Sequence, residues 1–116
     1  MAELVALLSS GKGTWAQVAG VIKHGEWENI ILVGDNFAKG FKTDKEHIFI
    51  ETKSNKLVEL KEELQKKLKG KIKGTEVALS IASGDGREHM ALISALLSQP
   101  VGIRFTALTK QGLVML

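Results

Sequence analysis

"LVALLSSGKGTWAQVAGVIKH", residues 4–24, sets an unbroken apolar run, Leu4 to Leu8, against a Ser-Ser-Gly-Lys-Gly turn. A stretch follows in which Trp15, Val18, Val21 and Ile22 recur at helical spacing. An unbroken run, as opposed to an alternating one, marks a strand covered on both faces, and the period near 3.6 marks an amphipathic helix. The segment therefore predicts strand, glycine turn, helix. The same order returns in "EVALSIASGDGREHMALISALL", residues 76–97, where Met90, Ile93 and Leu97 are expected to face inward and Pro100 to stop the helix.

Between these two units, Gly25 ends the first helix and Asn29 to Val33 forms a short β-branched run closing on Gly34-Asp35. Residues 36–44 hold a short helix at most, and His47 to Thr52 predicts a third strand. Ser54 and Asn55 are candidate caps for a long helix over Lys56–Lys69 with a stripe of Leu57, Leu60, Leu64 and Leu68. The tail divides into Ile103–Leu108 and Leu113–Leu116 around Thr109–Gly112, a closing antiparallel hairpin. Apolar strands alternating with helices imply an α/β Rossmann-like three-layer sandwich: a mostly parallel sheet of about six strands, with residues 1–116 as a single domain.

Composition narrows the function classes. An apolar share of 44% with 25% charged residues is that of an ordinary globular chain, which excludes a disordered or fibrous protein. The absence of cysteine removes disulfides, thiolate metal sites and a thiol nucleophile, and fits a reducing, cytoplasmic setting. No cationic leader opens the chain and no apolar run reaches the ~20 residues that cross a bilayer. Five lysines (Lys66, Lys67, Lys69, Lys71, Lys73) crowd one segment, but Glu59, Glu62 and Glu63 precede them on the same predicted helix, the arrangement a helix dipole favours. No aromatic residue stands between Phe49 and Phe105 to stack on bases, so the cluster reads as a solvated helix end and duplex nucleic acid is not expected as a partner.

Both glycine turns follow a strand and open a helix, which places them at the edge where such sheets bind ligands. Gly11-x-Gly13-x-x-Ala16 has the spacing of a dinucleotide fingerprint, with Asp35 closing the second strand. It is not a P-loop, because Ala6 stands where the first glycine is required and Gly13 where Ser or Thr must follow the lysine. Glycines admit backbone N–H groups to an anion, and a helix beginning near Thr14 would add the positive end of its dipole. The candidate ligand-binding residues are Ser9, Ser10, Gly11, Lys12, Gly13 and Thr14 in the first turn and Ser83, Gly84, Asp85, Gly86 and Arg87 in the second. Lys12 and Arg87 are expected as cations and Ser10 and Ser83 as hydroxyl donors. His24, His47 and His89 lack metal-ligand spacing, so no metal site is assigned. Ser83 lacks the GxSxG elbow of a nucleophile, catalysis stays unassigned, and no cofactor is implied.

"SIASGDGREHMALISALL" resembles the segment after the fourth strand of the CRISPR-associated Rossmann-fold (CARF) domain. There, a Ser/Thr-Gly turn and a basic residue precede a Met-containing apolar helix; the matching residues are Ser83, Gly84, Gly86, Arg87 and Met90. The order of elements over nearly the whole chain agrees, including the turn Ser9-Ser10-Gly11 and the final hairpin. The resemblance implies a minimal member without an effector domain. It also implies a nucleotide-type ligand, a cyclic oligoadenylate, shared across a homodimer by the ends of strands one and four. Two other functions fit the same residues: a small regulatory domain binding an NAD-type dinucleotide through Gly11, Gly13, Ala16 and Asp35, and a structural or interaction subunit without a small ligand.

Overall fold

A computed structural model describes residues 2–10 and 12–116, with the side chain of Lys12 excepted. The chain is an α/β sandwich. In sequence order it forms β1 (Ala2–Leu8), α1 (Trp15–His24), β2 (Trp27–Gly34), β3 (Ile48–Glu51), α2 (Leu57–Leu68), β4 (Glu76–Ser80), α3 (Gly86–Leu97), β5 (Gly102–Thr109) and β6 (Gly112–Met115). Single 3-10 turns occupy Lys12–Thr14 and Asn36–Gly40. The sheet order is β3-β2-β1-β4-β5-β6. The first five strands run parallel and β6 returns antiparallel to β5, pairing Leu108 with Leu113 and Thr109 with Gly112.

β1 shows why its apolar run is unbroken. Leu4, Ala6 and Leu8 face Val18, Val21 and Ile22 of α1, while Val5 and Leu7 face the leucines of α2 and α3. Alternate residues of one central strand thus feed two separate cores, and a polar residue on either face would be stranded in one of them. At the strand's start Glu3 is nevertheless buried. Its carboxylate accepts from the N–H groups of Lys73 (2.9 Å) and Gly74 (2.5 Å) and from Asn29 Nδ2 (2.9 Å), tying β1, β2 and the segment before β4 together.

Two local expectations are corrected. α3 turns Ala91, Leu92, Ala95 and Leu96 inward, leaving Met90 57% and Leu97 66% exposed and Ile93 half-buried. Residues 90–97 carry apolar side chains nearly all round, so their period does not select a face. The two alanines do, because they let the helix approach its neighbours closely. Ser54 and Asn55 do not cap α2: its N-cap is Lys56, with no side-chain bond, and Leu57 on the first turn is partly exposed. The approach to α2 is held instead by Glu63, which accepts from the N–H groups of Lys53 (3.0 Å) and Ser54 (2.9 Å) and from Lys67 Nζ (2.8 Å).

Burial alone would push the Glu63 carboxyl up, but the bonds from Lys67, Ser54 and Lys53 outweigh it and hold the group down at about 2. A carboxylate whose folded value lies below its unfolded one stabilises the fold fully above the unfolded value and loses that contribution as pH falls through the folded one. Glu63 therefore predicts a melting temperature that declines between about pH 4.5 and 2. Glu63→Gln should flatten this decline in a thermal melt followed against pH. An unchanged slope in the variant would contradict the assignment. Among the described residues no helix is long and apolar enough to cross a membrane.

Candidate ligand-binding site

The strand order reverses between β1 and β4, the two strands that carry the glycine turns, and it is outside the carboxyl ends of such a pair that open α/β sheets leave a crevice. Here the two turns touch. Ser9 N–H donates to Ser83 Oγ (2.8 Å), and Ser9 Oγ donates to both oxygens of Glu88 (2.9 and 3.1 Å). These bonds join positions more than seventy residues apart into one wall. Trp15 Nε1 reaches back to the carbonyl of Ser9 (2.7 Å), fixing the first turn onto α1.

The second turn owes its shape to Gly84, whose φ of +100° lies in the region L side chains rarely adopt. A Cβ there would also lie 2.5 Å from Leu7 Cδ2. Gly86, by contrast, opens α3 with ordinary backbone and free space. Asp85 caps α3 by accepting from Glu88 N–H (2.8 Å), while Glu88 accepts from Asp85 N–H (3.0 Å), a reciprocal capping box. His89 Nε2 lies 2.8 Å from the carbonyl of Ser83. A carbonyl only accepts, so Nε2 carries the proton.

These contacts assign the candidate residues differing positions. Ser83 is fully buried and its oxygen is engaged by Ser9, so it ties the turns together at the floor. Ser10 and Gly13 are exposed at the rim, and Thr14 stands ahead of α1 without capping it through its side chain. Arg87 is exposed at the surface, its Nη2 3.7 Å from Asp85 Oδ2, a long ion pair open to solvent and weak for that reason. The Glu88 backbone N–H, donating to the Asp85 carboxylate, holds that carboxyl below its usual range against the opposing effect of burial, with Arg87 adding to the lowering. Gly11 and the Lys12 side chain lie outside the described residues. The α3 N-terminus is thus occupied by two carboxylates of its own.

Three contributors were not singled out from the sequence. Glu88 is one, although Asp85-x-x-Glu88 has capping-box spacing. Phe37 is another: in the turn after β2, which Asp35 caps by accepting from Ala38 N–H (3.2 Å), it is 48% exposed and sits 5.6 Å from the Trp15 ring. The third is Ser80, fully buried at the end of β4, whose hydroxyl meets no hydrogen-bond partner among the described residues. The edge therefore offers exposed backbone, hydroxyls, the Arg87 guanidinium and the aromatic surface of Phe37.

Hollows of about 340 and 440 Å³ open at the opposite edge, beside the start of β2 and β3 and before β4 and β5. Helix C-termini point toward that edge, a polarity that disfavours anions. No protein-family model and no curated protein matches this chain.

Proposed function

We propose that this protein is a ligand-binding sensor domain for a nucleotide-type molecule, taken up where the turns after β1 and β4 meet. The Ser9–Ser83–Glu88 connection carries the reading, because it makes one preorganised wall of two turns at the switch point of the sheet. The likeness of the 83–90 segment to the CARF domain makes cyclic oligoadenylates the first ligands to try, with a homodimer sharing one molecule. The side chain of Asp35 already caps its own turn, which weighs against the NAD-type alternative, where that carboxylate would receive ribose hydroxyls.

Thermal shift against cyclic oligoadenylates of several ring sizes, NAD and AMP tests the proposal. A ligand at a hundred times its Kd adds about 2.7 kcal/mol of stability. Loss of one charge-assisted hydrogen bond removes roughly 1.5–3 kcal/mol, so Arg87→Ala is expected to weaken the bound nucleotide roughly tenfold to a hundredfold. Silence across the panel, or an Arg87→Ala protein that binds unchanged, overturns it.

A further inference from the structure

β3 is an edge strand, paired on one side with β2. Thr52 N–H donates inward to the carbonyl of Gly34 (2.8 Å), and backbone groups alternate direction along a strand, so Phe49 and Glu51 turn theirs to the open side. A groove of about 420 Å³ runs along all four residues of β3, and Lys66, Lys67, Lys69 and Lys71 form its wall. Natural edges are usually blunted by a charge reaching over the backbone. Lys67 does this at one point: its Nζ donates to the Glu51 carbonyl (2.7 Å) and to Glu63. The remaining length is unblocked, and among the described residues no carboxylate lies within ion-pair distance of Lys66, Lys69 or Lys71. The Glu51 carboxylate is taken up by Lys39 (2.6 Å). On the other face of the same edge a hollow of about 270 Å³ is lined by Leu32, Phe41 and Phe49.

We infer that the β3 edge takes up an extended acidic peptide of a partner protein as a seventh strand. Its alternate acidic side chains would meet the lysine wall and its intervening apolar side chains the Phe41–Phe49 hollow. Main-chain bonds to the open groups of β3 supply register, and the two faces supply selectivity, since successive side chains of a strand point to opposite sides. The excess of positive charge selects acid over base. The strand-spaced donors and acceptors select a peptide over a nucleic acid, which has no backbone amides to match them. This edge is separate from the nucleotide site, and the inference stands whether or not that site binds.

The probe is a blocked, fluorescein-labelled hexapeptide of alternating glutamate and valine, read by anisotropy on the full chain. Two isomers are compared with it, one N-methylated at the glutamate amides and one at the valine amides. Charge is identical in all three, but an added strand turns only one set of amides to β3. Saturable binding is expected, retained by one isomer and weakened at least about tenfold in the other. Combining Lys66→Glu, Lys69→Glu and Lys71→Glu should weaken it by at least as much, with folding checked by circular dichroism. Equal binding of both isomers, no saturation at millimolar protein, or tighter binding of hexathymidylate than of the peptide would each overturn the inference. Should the lysine variant fail to fold, the isomer comparison on the unaltered chain decides alone.

Discussion

Replacing Gly34 by alanine is expected to lower unfolding free energy by about 2–4 kcal/mol, read by urea denaturation. Gly34 is the buried last residue of β2, opposite Leu8 of β1 and Glu51 of β3. A Cβ there would overlap the Cβ of Ala38 and lie 2.7 Å from the carbonyl oxygen of Leu8. Neither neighbour can yield at low cost. The Leu8 carbonyl belongs to the central strand, and Ala38 is pinned by the Asp35 cap. Relief requires β1 and β2 to part just where Ser9 leaves for the candidate site, so Ser10 and the Trp15 anchor should shift with it. A loss below about 1 kcal/mol would show that the strand ends are looser than these contacts imply.

Glu3→Ala is expected to cost a similar amount, about 2–4 kcal/mol, because it leaves the N–H groups of Lys73 and Gly74 and the Asn29 amide without their acceptor at a buried position. Burial pushes the Glu3 carboxyl up, yet the bonds from Asn29, Lys73 and Gly74 prevail and hold it below its ordinary value. Its contribution is therefore present above the unfolded value and lost in acid, with the same sign as that of Glu63. Glu3→Gln offers one acceptor oxygen in place of two and no charge, so it should fall between alanine and the native residue. A calorimetric scan of the three proteins at neutral pH checks the order, and an alanine variant as stable as the native chain would refute it.

The architecture was legible because its strongest signals are periodic. Leu4–Leu8 and Val77–Leu79 are too continuously apolar for a half-solvated sheet, and Val18, Val21 and Ile22 keep one helical face. From these the parallel sheet follows, and its antiparallel end follows from the turn at Thr109–Gly112. Where apolar residues crowd all faces, as at 90–97, periodicity falls silent and packing volume decides, which is why Ala91 and Ala95 displace Met90 and Leu97 from the core. Caps depend on the direction of a single side chain. Asp85 and Glu88 satisfy each other across three residues, whereas Glu63 reaches back to Lys53 and Ser54 across ten and nine, beyond any capping pattern. The site followed the same division. The meeting of the two glycine turns is a property of strand order, while the burial of Ser83 and the role of Glu88 depend on which side chain turns down into the contact.

The adjacency of β1 and β4 also governs how the molecule comes into being. β1 lies in the middle of the sheet, but its second neighbour is made only after some seventy further residues, as the Glu3–Lys73 and Ser9–Ser83 bonds measure. Closing a chain loop of that length forfeits about 4 kcal/mol of entropy before the first bond across it forms. The early β1-α1-β2 portion can assemble from near neighbours, whereas β1 and β4 must find each other from afar, a slow kind of step. The Ser9–Ser83–Glu88 wall is built by that same encounter. A chain interrupted short of that encounter lacks the wall, so the candidate site is complete only once β1 and β4 have paired.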